Sequence, residues 1–231
     1  MQSEHSFTRS ETRRRTIVMA AAFAGMLGPV LFVSVLLALT ALQYDFMLGI
    51  GWRPLADPAG AWPSGLALGP YGALQDATFV VSGLLLALFS VGLNIVTTDE
   101  RSLSLGPALL FVAGIAMALM GFESDPIERV GPRSPHGLVH DAAFVVFVLA
   151  MLAALFSLWR GFRKHLQWRG HARYTLATGM LVVLLLVLPG VVYYLFIVTL
   201  LAWIFVTAVR LWLLSLPRPT RSAEDSATDG P

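Results

Sequence analysis

The stretch SPHGLVHDAAFVVFVLAMLAALFSLW (residues 134–159) decides the fold. Ser134 and Pro135 are residue types that favour the N-cap and the first position of a helix. After Asp141 no charged residue interrupts the apolar run as far as Trp159. From Pro135 to Trp159 the segment exceeds the roughly 20 residues that a helix needs to cross a bilayer. The stretch therefore predicts a transmembrane helix with two histidines in its first turns.

The composition of the whole chain extends this prediction to a polytopic membrane protein. Hydrophobic residues make up 56% of the 231 residues and charged residues only 13%, whereas a soluble domain carries roughly 25% charged residues. A chain with so few charges cannot cover a water-facing surface in the usual way. Cysteine is absent, which excludes disulfides and thiolate metal sites and leaves the redox compartment open.

Apolar segments along the chain predict an all-α fold, a bundle of six transmembrane helices. The predicted spans cover about residues 17–43, 74–96, 103–122, 135–159, 174–188 and 191–214. The last apolar run is about twice as long as one crossing requires, so it is divided at Pro189 and Gly190. A polar lead, residues 1–16, precedes the membrane domain of residues 17–214, and a tail, residues 215–231, is expected to be disordered.

The basic residues predict the orientation of these spans. Six spans place both termini on one side, and 13 of the 16 lysine and arginine residues would lie in segments on that side. By the positive-inside rule we expect both termini to be cytoplasmic, and we expect the membrane to be the plasma (inner) membrane. The loop that begins at Arg160 and ends at Arg173 is suited to anionic headgroups, although its charges can equally serve only to set topology. The same distribution argues against a nucleic-acid partner.

Polar residues gather where the predicted spans reach the outer face. Ionisable residues in or beside a span are energetically expensive, so they usually pair or line a cavity. Asp76, His140 and Asp141 matter most, because each lies just inside the start of its predicted helix. The full predicted cluster, for a ligand or for polar contacts, contains Ser64, Gln75, Asp76, Glu123, Asp125, His136, His140 and Asp141.

Two histidines of this cluster form a candidate metal site. His136 and His140 are four residues apart, so they share one face of a helix and can bind one ion. Asp125, Glu123 or Asp76 could supply a third, oxygen ligand, as in zinc sites with two histidines and one carboxylate, and Asp125 is the ligand that we predict. The bound water would then permit hydrolysis. The pair lacks the intervening glutamate of the zinc-protease helix. Zinc is therefore a candidate cofactor beside the simpler expectation of none.

Three other interpretations use the same residues. A histidine beside a carboxylate can move protons or sense pH near neutrality. Alternatively, His140 or Asp141 fixes helix packing through hydrogen bonds to another span. The candidate partners for such a clamp are Asp76, Gln75 and Tyr44. The third interpretation is a pocket for a ligand or a lipid headgroup.

Three motifs resemble those of a known family. They are PSGLALGPYGALQDATFVVSGLLLALFSVGL (residues 63–93), GFESDP (121–126) and HGLVHDAAFVVF (136–147). In this order and spacing they resemble the prokaryotic six-span membrane family called domain of unknown function 998, over about residues 25–214. The resemblance implies a six-helix bundle with polar residues at one end, and it brings no activity with it. By position, its characteristic polar residues here are Ser64, Asp125, His136 and His140.

The preferred function is non-enzymatic: the protein binds a lipid or small apolar ligand in an outer-facing pocket, or acts as an accessory membrane subunit. A metal-dependent lipid hydrolase is one alternative. The layout is similar to that of intramembrane zinc hydrolases of the ceramidase and adiponectin-receptor type, which have seven spans and histidines on a late helix. The last two predicted spans here contain no histidine. A proton-coupled transporter is the other alternative, disfavoured because no predicted span is clearly broken at mid-membrane.

Overall fold

The described part of the protein is helical throughout. A computed structural model describes residues 2–53, 56, 63–97, 105–122, 124–125, 131–187 and 193–216, with side chains from residue 10 onward. No strand occurs among these residues, which confirms the predicted all-α fold. The α-helices are α1 (Gln2–Leu42), α2 (Tyr44–Gly49), α3 (Gly72–Thr97), α4 (Leu105–Leu119), α5 (Pro135–Phe162), α6 (Arg169–Val187) and α7 (Tyr193–Ser215), and a 3₁₀ helix covers Pro63–Leu68.

Helices α1 and α3 to α7 pack as a closed ring in which neighbours run antiparallel. Each helix contacts the next one along the chain, and α7 returns to contact α1. Thr40, near the end of α1, hydrogen-bonds to Tyr194 at the start of α7, with 2.9 Å between the hydroxyl oxygens. His171, at the start of α6, hydrogen-bonds to Thr207 near the end of α7 at 2.9 Å. The described chain therefore enters and leaves the ring at the same end.

Helix length separates α4 from the other members of the ring. Five helices of the described chain are long and apolar enough to cross a membrane: α1 over Ser10–Leu42, α3, α5, α6 and α7. Helix α4 is apolar but has 15 residues, about 22 Å of helix, whereas the hydrocarbon core is about 30 Å thick. The protein is thus a multi-pass membrane protein with five candidate spans by length and composition. The predicted third span, residues 103–122, corresponds to α4 and the turn that follows it.

Two helices begin earlier than the sequence predicted. Helix α1 begins at Gln2, so the polar lead continues the helix of the first span. Helix α6 begins at Arg169, so the predicted basic loop between spans four and five is shortened to residues 163–168. Arginine is a good helix former, and charged residues at a membrane helix end extend it into the headgroup layer. The predicted tail lies outside the described residues after Leu216.

Glycines bring α3 and α4 into backbone contact. A Cβ atom on Gly83 would lie 2.4 Å from the backbone nitrogen of Ala118. One on Gly114 would lie 2.6 Å from the backbone nitrogen of Ala87. Small residues at membrane helix interfaces allow this close approach, which gains van der Waals contact where the hydrophobic effect contributes little. The short helix α4 is thereby held tightly against α3.

The two ends of the ring carry different residues. Helices α1, α4 and α6 finish at one end, called the cavity end, where α3, α5 and α7 begin. The opposite end, called the basic end, carries the first turns of α1, including Arg14. The guanidinium of Arg14 donates to the carbonyl of Ile95 at 2.7 Å, near the last turn of α3. This contact satisfies a backbone acceptor that has no partner within its own helix end.

Candidate functional site

A cavity of about 700 Å³ lies at the cavity end. This volume is within the range of roughly 300–1,000 Å³ that is typical of small-molecule sites. Its walls come from the 3₁₀ helix, the first turns of α3 and α5, the turn after α4, and the start of α7. The apolar lining includes Phe79, Phe144, Val145, Phe147, Phe196 and Ile197, and the polar lining includes Ser64, Asp125, Arg133, His140, Asp141 and Tyr193.

Backbone hydrogen bonds fix the side chain of His140 in the wall of this cavity. It is buried, and its Nδ1 lies 2.9 Å from the carbonyl oxygen of Met120 and 2.8 Å from that of Phe122. A carbonyl oxygen can only accept, so Nδ1 carries the proton and donates to both. The Phe79 ring meets the imidazole edge-on, with centroids 6.1 Å apart. His140 therefore ties the turn after α4 to α5.

This arrangement leaves one ring atom of His140 for other chemistry. Neither hydrogen bond uses Nε2, and no described residue hydrogen-bonds to that atom. In the neutral ring with Nδ1 protonated, Nε2 is an acceptor. Because His140 lines the cavity, Nε2 can accept a hydrogen bond from a ligand. The predicted clamp partners Asp76, Gln75 and Tyr44 are not among the hydrogen-bond partners that the structure describes for His140.

Asp125 closes the start of α5. Its Oδ2 accepts a hydrogen bond from the backbone N–H of Ser134 at 2.9 Å. The hydroxyl oxygen of Ser134 in turn accepts from the N–H of Gly137 at 3.0 Å, as the predicted N-cap requires. A Cβ atom on Gly137 would lie 2.4 Å from Oδ2 of Asp125, so this close approach needs glycine. The carboxylate is also favoured at the positive end of the helix dipole.

Arg133 and Asp141 form an ion pair at the cavity. The nitrogen and oxygen atoms are 3.0 Å apart, and the two side chains are 56% and 45% exposed. Ion pairs with this much exposure contribute little to stability. Both residues line the cavity. The pair therefore offers one positive and one negative group to a ligand at little cost to the fold.

The structure brings half of the predicted cluster together. Ser64, Asp125, His140 and Asp141 line the cavity. Gln75 and Asp76, on α3, are not among its lining residues. Gln75 is fully buried, and neither polar atom of its side chain has a hydrogen-bond partner among the described residues. His136 is exposed in the first turn of α5, and Glu123 lies outside the described residues.

The predicted metal ligands are separated by burial. His136 is exposed whereas His140 and Asp125 are buried, and the latter two are engaged by backbone groups. Within the described residues, no three histidine, cysteine or acidic side chains converge in a way that could hold an ion. Three protein ligands are the usual minimum for catalytic zinc, so the described residues do not fit such a site. Glu123 is not described, and the zinc site stays a prediction.

Several residues of this end were missed by the sequence reasoning. Gln43 is buried, donates to the carbonyl of Leu66 at 3.1 Å and accepts from the N–H of Tyr71 at 3.2 Å. It ties the end of α1 to the 3₁₀ helix that forms one wall of the cavity. The sequence could not single out Phe196, because one aromatic residue within an apolar span is not distinguished by its type or its spacing. Arg133 lies just before α5, and the sequence did not single it out, because its charge alone does not predict a contact with Asp141.

Comparison with known proteins agrees with the motif resemblance. The family model described as Protein of unknown function (DUF998) matches residues 26–214. The match therefore includes the ring from within α1 to within α7 and all the cavity-lining residues. No curated protein matches the chain, and no solved structure matches it. Because the family model covers most of its length, the chain belongs to the DUF998 family.

Proposed function

We propose that this protein binds one lipid or small apolar ligand in its cavity and has no catalytic activity of its own. The observation that carries this proposal is the cavity itself, about 700 Å³ beside a half-exposed ion pair. Its walls on α5 and α7 are mostly apolar. Apolar walls with a few fixed polar groups are typical of ligand sites.

The chemistry of the lining favours an amphipathic ligand. Phe144, Phe196 and Ile197 offer an apolar surface to a hydrocarbon part. Arg133 and Asp141 can exchange their mutual contact for contacts to a polar headgroup, because their exposed pairing is weak. Nε2 of His140 adds one acceptor at the same surface. A lipid with a polar headgroup satisfies all three kinds of group.

The proposal includes six spans, with the cavity facing outward. Gly106 at the start of α4 packs against Leu158, and Met120 after α4 contacts His140. On α5 those two partners are separated by about 27 Å of helix, close to the thickness of a hydrocarbon core. Side chains of α5 therefore contact α4 and its following turn over nearly the thickness of a hydrocarbon core, which supports counting α4 as a span.

The ligand is tested with the full chain, purified in mild detergent and examined by native mass spectrometry. We expect one amphipathic molecule per chain to remain bound. Val145→Trp should narrow the cavity with a bulky indole and reduce this occupancy at least about tenfold, because Val145 lines the cavity. Val146→Trp is the matched control, since Val146 is exposed on the same helix and is not among the lining residues.

Equal occupancy in the two variants would contradict the proposal, and so would wild-type protein that carries no ligand from its native membrane. The orientation has a separate test, because the chain lacks cysteine. Cysteine introduced at Arg53, which is exposed near the cavity end, should react with an impermeant reagent from outside. Cysteine introduced at Leu166, at the basic end, should react only from inside. Reaction of both from one side would end the six-span topology.

A further inference from the structure

The chain that joins α5 to α6 carries charge of one sign. We call residues 160–173 the basic tip. Its five basic side chains are all exposed, and they are Arg160, Arg163, Lys164, Arg169 and Arg173. No aspartate or glutamate occurs between residues 142 and 223. The positive charge of the tip is thus not compensated within its own stretch of chain, and it attracts anions.

Aromatic packing fixes the backbone of the basic tip. Trp168 is buried and stacks on Phe162, with ring centroids 4.5 Å apart and an interplanar angle of 11°. Arg210, from α7, lies over the Trp168 ring with its guanidinium carbon 5.4 Å from the centroid. The same guanidinium donates to the carbonyl of Gln167. The loop is therefore held against α7.

A second contact anchors the start of α6 beneath the tip. The hydroxyl of Thr207 donates its proton to the carbonyl of Trp203 at 2.7 Å. The Thr207 oxygen must therefore accept the second hydrogen bond, from Nε2 of His171 at 2.9 Å. This ring nitrogen is the donor and carries the proton. His171 is buried and lies 5.7 Å from the centroids of Phe162 and Trp168. The exposed basic residues consequently project from a scaffold that loses little freedom on binding.

One apolar side chain stands at the apex of the charged loop. Leu166 is 88% exposed, and it lies between Lys164 and Arg169 in the chain. A large apolar residue so exposed among basic ones suits the boundary between headgroups and acyl chains. Arg163 also lies over the ring of Trp159, 5.2 Å from its centroid, and tryptophan favours the same layer.

We propose that the basic tip is a docking surface for anionic phospholipid. The phosphates of the headgroups meet Arg163, Lys164 and Arg169, and Leu166 enters the acyl boundary. A lipid surface is favoured over a soluble polyanion because the tip connects two apolar spans and its apex is a leucine. This surface is at the opposite end from the cavity, and it does not depend on a ligand being bound there.

The test uses the full chain in uncharged detergent, titrated with phosphatidylglycerol or phosphatidylcholine of identical acyl chains. Bound lipid is counted by native mass spectrometry. We expect tighter binding of phosphatidylglycerol, weakened by salt. The double variant Arg163→Gln/Lys164→Gln should reduce that affinity at least about tenfold, since each basic residue near an anionic surface contributes about fivefold. Arg13→Gln/Arg15→Gln removes the same charge from exposed positions on α1 at the same end but outside the tip, and it should reduce the affinity clearly less than the tip variant does.

A second measurement follows the apex. A fluorophore on Leu166→Cys should be quenched by quencher-bearing acyl chains in phosphatidylglycerol vesicles and much less in phosphatidylcholine vesicles. Equal affinity of the wild type for the two lipids would overturn the proposal. The same conclusion would follow from equal losses in the two double variants, or from an oligonucleotide that displaces the lipid. Displacement by inorganic phosphate at the same concentration would likewise show a phosphate site instead of a lipid surface.

Discussion

The cavity end and the basic end use the same helices in opposite ways. At the cavity end, polar side chains terminate helices: His140 binds two carbonyls after α4, and Asp125 binds the start of α5. At the basic end, the rings of Phe162, Trp168 and His171 pack against one another between α5, α6 and α7. Polar caps satisfy the backbone without filling volume, whereas aromatic packing fills it. The contrast suggests that stability resides mainly at the basic end and binding at the cavity end.

The largest expected effect compares one phenylalanine from each end. Phe162 is fully buried, and Phe162→Ala should lower the free energy of unfolding by about 3–5 kcal/mol, because it leaves a cavity in a packed cluster. Phe144 lines the existing cavity, so Phe144→Ala should cost less than half as much. Denaturant unfolding in mild detergent measures both. Equal costs would mean that the two ends are packed alike.

The next effect compares two glycines in the first turns of α5 and α6. Gly137→Ala places a methyl group 2.4 Å from the carboxylate of Asp125 and should destabilise the protein by about 1–3 kcal/mol. A Cβ atom on Gly170 has no atom within 4 Å. Gly170→Ala should therefore be neutral or stabilising by up to about 1 kcal/mol, because alanine is the better helix former. A loss of stability at Gly170 would refute this account of the two helix starts.

Substitutions of His140 should lower stability by a smaller amount, and they separate the structural role of Nδ1 from ligand binding by Nε2. His140→Ala should cost about 1–3 kcal/mol, because the carbonyls of Met120 and Phe122 lose a buried donor. His140→Asn places an N–H near the position of Nδ1 and should recover part of that stability without restoring Nε2. If Nε2 contacts the ligand, His140→Asn will still bind the co-purified amphiphile more weakly than wild type. His136→Ala, at an exposed position, should cost less stability than His140→Ala.

The smallest expected effect is the coupling energy between the two residues of the ion pair at the cavity. A double-mutant cycle with Arg133→Gln and Asp141→Asn should give a coupling of about 0.2–1 kcal/mol, because both side chains are about half exposed. The same two substitutions should affect ligand occupancy more than stability. A coupling above about 2 kcal/mol would show a structural pair and would remove Arg133 and Asp141 from the proposed binding surface.

The helices were predictable from the sequence because a bilayer imposes a length on each apolar segment. The start of α5 was predicted in detail, since Ser134 and Pro135 have position-specific preferences, and the Ser134 cap is observed. The start of α6 was not predicted. Arg169 and Arg173 are charged, as loop residues between membrane spans often are, but arginine is also a good helix former, and both residues lie in the first turns of α6. The predicted third span extends three residues past the end of α4, because the turn at residues 120–122 is nearly as apolar as the helix.

The site was only partly predictable. Residue types placed Ser64, Asp125, His140 and Asp141 in one cluster, and they do line one cavity. The partners of His140 were not predictable, because the carbonyls of Met120 and Phe122 belong to a turn and have no residue-type signature. Four-residue spacing put two histidines on one helix face, but it could not show that His136 is exposed while His140 is buried. Burial depends on where each helix ends relative to its neighbours, and this is a tertiary property.

The central claim is that the cavity holds an amphipathic ligand, and a density map of the full chain in its native lipids tests it most directly. The account predicts elongated density that runs along Phe144 and Phe196, with its polar end near Arg133 and Asp141. That density should vanish in Val145→Trp and persist in Val146→Trp. Side chains that close the space, or ordered water alone within it, would contradict the account.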